Sequence, residues 1–150
     1  MKKAIFGMGC FWGPEEKFSK LHGVINAEVG YCGGNKERTT YEEVCTGKTN
    51  HAEVVKIEFD EKIISYEEII KFFFKIHDTT TLNSQGPDVG TQYRSEIFYT
   101  KEEQKEIAEK VVEEVNKKFK GKIVTKISKE SNYCKAEDYH QKYLKKKGML

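Results

Sequence analysis

Hydrophobic positions recur with two distinct periods along the chain. Residues 4–7 form a short apolar run, residues 24–31 alternate with polar ones, and residues 53–59 (Glu-Val-Val-Lys-Ile-Glu-Phe) alternate again. A period of two predicts strands. Between and after them the period lengthens to that of a helix. Pro14 suits a first helical turn, where its missing N–H has no partner to lose, and a helix over 14–22 is expected to stop at Gly23. Ser65-Tyr66-Glu67-Glu68 is a capping box that opens a helix through Ile69, Ile70, Phe72, Phe73 and Ile76. Thr100-Lys101-Glu102-Glu103 reads as a second box, ahead of Ile107, Ala108, Val111, Val112, Val115 and Phe119 on one helical face. Further strands are predicted over 93–99 and 123–127, a long loop over 78–91, and a last helix over 135–146.

The order β-α-β-β-α-β is the split βαβ, or ferredoxin-like, arrangement, with a further α-β-α appended. The predicted fold class is α/β (α+β): a two-layer sandwich with a ferredoxin-like split βαβ core plus an additional C-terminal strand and helix. No linker or repeat interrupts residues 1–150, so one domain is expected. In this arrangement the first two strands run the same way and the next two run opposite to them. One rim of the sheet then collects Cys10, Cys32 with its Gly33-Gly34 turn, Tyr41, His51, Glu53 and the loop from Gln85 to Tyr93. Convergence of reactive side chains on one rim is what a functional site requires.

Composition narrows the function classes. The chain is 37% hydrophobic and 33% charged, which suits a small, very soluble globular protein with a core of its own. A net charge of +2 is too small to predict nucleic-acid binding. The charge is uneven, since residues 101–150 hold 14 of the 26 basic side chains against 9 acidic ones. That pattern reads as a solvated, lysine-rich helical surface, with weak steering of anionic partners as the lesser reading. The four cysteines lie far apart, with no C-x-x-C and no paired zinc-ligand spacing. This favours a reducing compartment over a disulfide scaffold or a metal finger. Lys2-Lys3 and the apolar residues up to Trp12 imitate a signal sequence, but the run is short and leads straight into Pro14-Glu15-Glu16-Lys17. No segment approaches the roughly 20 apolar residues of a membrane span. A cytoplasmic protein is expected, away from membranes and without metal.

Candidate chemistry centres on Gly9-Cys10-Phe11-Trp12-Gly13-Pro14. Cys10 falls where a strand gives way to a helix N-terminus, and backbone dipoles there favour a thiolate. Two aromatics beside a reactive sulfur suggest a pocket for something small and apolar. Most intracellular cysteines are inert, buried small hydrophobes; the flanking glycines and the adjacent Phe-Trp set Cys10 apart. Glu53 begins a strand on the same rim, as an ordinary edge carboxylate or, in a dry pocket, as an acid.

Six segments in order resemble the A-type peptide methionine sulfoxide reductases. They are Gly-Cys-Phe-Trp-Gly at 9–13, Gly-Tyr-Cys-Gly-Gly at 30–34, Thr-Tyr-Glu-Glu-Val-Cys at 40–45, His-Ala-Glu at 51–53, the stretch from Gln85 to Ser95, and Ala-Glu-Asp-Tyr-His-Gln at 136–141. The resemblance runs from about residue 4 to about residue 144. It implies reduction of the S epimer of methionine sulfoxide, free or in oxidised proteins, to methionine. No bound cofactor is expected; thioredoxin, glutaredoxin or a small thiol would be the external reductant, and the chain would act as a monomer. Cys10 would attack the sulfoxide sulfur. The oxygen gains negative charge and must leave as water, so it needs a proton donor, for which Glu53 in a dry pocket is the candidate. Phe11 and Trp12 would form the apolar wall around the S-methyl group. By their positions in the family motifs, Tyr41 and Tyr93 would be phenol donors to the oxygen, and Asp88 would orient the substrate or an ordered water. His51 and His140 read as hydrogen-bonded structural groups, and Arg94 and Asp138 as ion-pair members.

Turnover would leave Cys10 as a sulfenic acid, which a second thiol converts to a disulfide. Many relatives carry resolving cysteines on a C-terminal tail; here no cysteine follows Cys134. Cys32, on the same rim and beside mobile glycines, is the preferred resolving thiol. Cys134, Cys45 (read as a packed small hydrophobe) and an external thiol stay open. Two rival functions also stay open. A thiol peroxidase would form the same sulfenic acid without needing a methyl pocket. A non-catalytic ferredoxin-like binding module would not need both Cys10 and Glu53.

Overall fold

A computed structural model of the chain describes residues 2–146. In order come β1 (Lys2–Met8), α1 (Trp12–Ser19), β2 (Val24–Cys32), α2 (Tyr41–Cys45), β3 (Ala52–Phe59) and α3 (Tyr66–Lys75). A small hairpin, β4 (Ser84–Gln85) with β5 (Asp88–Val89), and a 3-10 turn at Thr91–Tyr93 lead to β6 (Ser95–Tyr99). Then follow α4 (Glu102–Lys118), β7 (Lys126–Lys129), β8 (Cys134–Lys135), a 3-10 turn at Asp138–His140 and α5 (Tyr143–Lys146). Among the described residues no helix is long and apolar enough to cross a membrane.

Six strands form one sheet in the order β7-β6-β1-β3-β2-β8. β1 and β2 each pair antiparallel with β3, so they run the same way with β3 between them, and β6 lies antiparallel on the far side of β1. That is the split βαβ core expected from the element order. β7 extends it in parallel beside β6, and β8 closes the other edge antiparallel to β2.

Strand alternation decides what each face does. Phe6, Met8, Val55, Ile57 and Phe59 face the helices, where they meet Phe18 of α1, Ile69, Ile70 and Phe73 of α3, and Ala108 and Val111 of α4. Phe6 stacks on Phe18 with ring centroids 5.5 Å apart. Each such fully buried large side chain contributes about 1.5–3 kcal/mol. Ile5, Cys32, Ala52, Val54 and Phe98 form a second, smaller cluster. They occupy the alternate strand positions and so face the opposite way.

Several local expectations shift. The Ser65 box forms fully, with Glu68 bonded back to the Ser65 N–H. Thr100 does not cap; its N–H and hydroxyl both donate to Gln104 Oε1, and α4 starts two residues later. The strand placed at 93–99 starts at Ser95 because Thr91–Tyr93 closes a 3-10 turn, and the strand placed at 123–127 forms at Lys126–Lys129 beside β6. The helix expected over 135–146 is largely absent. Cys134–Lys135 pairs with β2 instead, Ala136 N–H bonds the Val29 carbonyl at 3.0 Å, and the Gln141 amide clamps the N–H and carbonyl of Val29. Lys142 then adopts a positive φ of 54° that breaks any helix, so only Tyr143–Lys146 turns. Tertiary pairing overrides a helical pattern here. α2, for which the hydrophobic pattern predicts no element, is capped by Thr40, which accepts from the Glu43 N–H at 3.2 Å.

Candidate active site

β1 ends at Met8, and Gly9 turns the chain with φ 96° against Gln85, whose Cγ would lie 2.7 Å from any added Cβ. A side chain at residue 9 is therefore excluded by both backbone and space. The turn places Cys10 just ahead of α1, whose N-cap residue Phe11 offers no side-chain cap. The Trp12 N–H is free to bond the Cys10 sulfur, and does so.

That donor does not make Cys10 a thiolate at rest. Burial pushes the thiol up to about 11; the Trp12 N–H pulls the other way, and the carboxylates of Glu53 and Asp88 add to the rise. The expectation of a helix-activated thiolate is corrected accordingly. One backbone dipole loses to desolvation and two nearby acids.

Glu53 stands at the second residue of β3 and is only 1% exposed. Its Oε1 accepts the Phe11 N–H at 3.4 Å and its Oε2 accepts Gln92 Nε2 at 3.2 Å. Burial raises its carboxyl to about 7, against the pull of the Gln92 and Phe11 donors and with a further push from Asp88. Near neutrality the group is thus partly protonated and adjacent to the residue after Cys10. Gln92 was not singled out from the sequence. A buried carboxyl must find donors, and a glutamine two residues past Gly90, beside Tyr93, was the available signal.

The aromatic residues divide into two layers. Phe11 is buried, with Tyr31 at 5.7 Å and His140 at 5.2 Å between ring centroids. Trp12 is half-buried, stacks on Tyr143 at 3.7 Å, and donates its Nε1–H to His140 Nδ1 at 3.1 Å. Tyr41 lies 4.6 Å from the same imidazole. His140, read as structural, is the hub against which Phe11, Trp12 and Tyr41 are set. Glu137 is the second hub the sequence did not reveal: its carboxylate accepts the Tyr31 hydroxyl at 2.8 Å and the Tyr41 N–H at 3.0 Å.

Asp88 sits half-buried in β5, close enough to act on Cys10 and Glu53. Tyr93 is raised to about 12, by burial first and then by the charges of Glu53, Asp88, Cys45 and Cys10. The Tyr41 hydroxyl bonds the Cys45 thiol. Cys45 also receives Gln92 Nε2 at 3.5 Å, which draws it into the polar cluster. Arg94 bonds Glu96 at 2.6 Å and the carbonyls of Thr91 and Asn50, a structural knot beneath the loop. His51 is buried against Gly34, where any side chain would collide with the imidazole.

Cys32 does not join this cluster. In the β2–β3 register Tyr31 is opposite Glu53 and Cys32 is opposite Ala52, so the Cys32 side chain points to the other face. It is fully buried with Ile5, Val54 and Phe98, donates to the Ser131 carbonyl at 3.4 Å, and burial pushes it up to about 12. The expectation that a shared rim would bring Cys32 to Cys10 is corrected: the rim is shared and the face is not.

Comparison with known proteins gives consistent matches. The sequence model of the family described as peptide methionine sulfoxide reductase matches residues 2–149. The chain is 67% identical over 147 residues to peptide methionine sulfoxide reductase MsrA of Pelagibacter ubique, covering 98% of this chain and 100% of that one. Its fold is similar to the reduced form of Mxr1 from Saccharomyces cerevisiae, with a TM-score of 0.94 and 39% identity over 99% of this chain and 87% of that one. Mxr1 in complex with Trx2 matches with a TM-score of 0.68 and 28% identity, over 95% and 84% of the two chains.

Proposed function

Because the chain belongs to the peptide methionine sulfoxide reductase family and reduces methionine sulfoxide, we propose that Cys10 is its attacking thiol and Glu53 the acid that serves it. The observation that supports this most is Glu53 itself. A carboxyl 1% exposed, raised to about 7 and bonded to the Phe11 N–H has no structural reason to be ionisable. As an acid beside a sulfur nucleophile it has a chemical one.

The substrate is the S epimer of methionine sulfoxide, free or in oxidised proteins. Cys10 sulfur bonds to the sulfoxide sulfur while Glu53 gives its proton to the oxygen, where negative charge develops. Neutralising that oxygen makes the sulfur electrophilic, so a resting thiol near 11 can react once it loses its proton to the emptied carboxylate. The oxygen then passes to Cys10. Methionine leaves reduced, Cys10 is left as a sulfenic acid, and the oxygen departs as water when a second thiol forms a disulfide with Cys10. Tyr93, which feels the charges of Glu53, Asp88 and Cys10, donates its phenol to the oxygen. Tyr41 joins it after releasing Cys45. Trp12 and Phe11 hold the methyl group, Phe11 from within the core and Trp12 from the half-buried layer. Asp88 orients the bound substrate.

The reductant is a thioredoxin-type dithiol, a reading supported by the complex of the yeast relative Mxr1 with Trx2. A reaction that consumes thiols suits the cytoplasm, and the chain acts as a monomer. The test is single-turnover methionine release. Glu53→Gln should slow it about 10²–10⁴-fold, the usual span for a general acid. A near-normal rate would reduce Glu53 to a buried structural group. A thiol peroxidase reading would be favoured only if hydrogen peroxide outpaced methyl sulfoxides in oxidising Cys10.

A further inference from the structure

We propose that Cys45 is the thiol that resolves the Cys10 sulfenic acid, an inference that rests on the assignment of Cys10 as the attacking thiol. One amide group bridges the two halves of the site. Gln92 Nε2 lies 3.2 Å from Glu53 Oε2 and 3.5 Å from Cys45 Sγ. The Tyr41 hydroxyl also interacts with the Cys45 thiol. Gln92 thus ties Cys45 Sγ to the Glu53 carboxyl, whose other oxygen accepts the N–H of Phe11, the residue after Cys10.

The remaining thiols are badly placed. Cys32 is fully buried on the opposite face of the sheet. Cys134 lies on the correct face, but in the rung Glu53–Tyr31–Cys134 the Tyr31 side chain stands between it and Glu53. Strands are about 4.8 Å apart, so Cys134 lies two strands, roughly 10 Å, across the sheet from Glu53. Its thiol faces the Thr39 carbonyl at 3.8 Å instead.

The backbone around Cys45 can deliver the sulfur. Cys45 is exposed and is the last residue of α2, while Thr40, Glu137 and the buried Val44 anchor the rest of that helix. The residues that follow, Thr46, Gly47 and Lys48, are all exposed, and nothing lies within 4 Å of a Cβ placed on Gly47. Rotation of this last turn moves Cys45 without opening the core. Cys45 sulfur then attacks Cys10 sulfur, an S–S bond forms, and the S–O bond of the sulfenic acid breaks. The proton lost by Cys45 ends on the departing oxygen, which leaves as water. Cys45 is oxidised, Cys10 is reduced by the same amount, and methionine sulfoxide has supplied the oxidant. The exposed Cys45 sulfur is next attacked by an external dithiol, which returns both cysteines to thiols.

The decisive experiment uses the unmodified enzyme. Fully reduced protein is treated with one equivalent of methionine S-sulfoxide, remaining thiols are alkylated, and peptides are mapped by mass spectrometry. A Cys10–Cys45 disulfide is expected, with Cys32 and Cys134 alkylated. Cys45→Ser should still release about one equivalent of methionine, trap Cys10 as a sulfenic acid reactive to a 1,3-dione, and then stall with thioredoxin. Cys134→Ser and Cys32→Ala should cycle. Mapping of Cys10 to Cys134 or Cys32, or normal thioredoxin-driven cycling by Cys45→Ser, would overturn the proposal while leaving Cys10 in its role. Methionine release by Cys10→Ser would instead remove the reading on which it rests.

Discussion

On one rung of the sheet Glu53 of β3 stands opposite Tyr31 of β2, and on the next rung Ala52 stands opposite Cys32. The two rungs are a single residue apart, yet they belong to different chemical worlds. On the Glu53 side a carboxyl is held by an amide and a backbone N–H, with Cys10, Tyr93 and Asp88 close by. On the Cys32 side a thiol is sealed among Ile5, Val54 and Phe98 with one carbonyl for company. Both cysteines are pushed up by burial, to about 11 and about 12. A high thiol pKa therefore does not separate the reactive group from the inert one. What separates them is whether an acid and a way in from solvent share the same face.

The sharpest way to break that comparison is to remove each sulfur in turn. Cys10→Ser should abolish methionine sulfoxide reduction with the fold intact, since a hydroxyl cannot replace a thiol as nucleophile to sulfur; circular dichroism and a turnover assay check both halves. Glu53→Gln comes next, with its loss of about 10²–10⁴-fold in single turnover.

A smaller effect concerns stability. The Glu53 carboxyl lies at about 7 in the folded chain against 4.5 for an ordinary glutamate, so between those values the folded state holds the extra proton. Stability must then fall as pH rises through that window, by about 3 kcal/mol once pH passes 7. Denaturant unfolding should show this decline in the wild type and its absence in Glu53→Gln. Smallest of all, Cys32→Ala should leave turnover unchanged and cost about 1–2 kcal/mol of stability, the price of a small cavity. A Cys32→Ala variant that stalls in turnover would erase the distinction between the faces.

Much of this site was legible from residues alone. Alternation over residues 24–31 and 53–59 places the strands, and the element order forces β3 between β1 and β2, which brings Cys10 and Glu53 to one rim. Face was harder. It depends on Tyr31 rather than Cys32 pairing with Glu53, and register between strands not joined by a hairpin has no local signature. α2 has five residues, too few for a helical period, so the sequence left no sign that Cys45 would turn toward Gln92. The C-terminal segment misled for a related reason. Its helical spacing is real, but pairing with β2 and the grip of Gln141 on Val29 outweigh a short helix, which is marginal by itself. Burial, the cause of the raised Cys10 and Glu53 values, is a property of the assembled fold.

The central claim is that a carboxylic acid beside Cys10 stays partly protonated near neutral pH. The carboxyl stretch of Glu53, isolated by subtracting the infrared spectrum of Glu53→Gln from that of the reduced wild type across pH 4 to 9 (about the range in which both forms occur), tests it most directly. The protonated band is expected to persist through mildly acidic pH and lose half its intensity near pH 7, matching the raised carboxyl value of about 7. A midpoint near the ordinary glutamate value of 4.5 would mean that Glu53 is ionised in the working enzyme and would contradict its role as the acid.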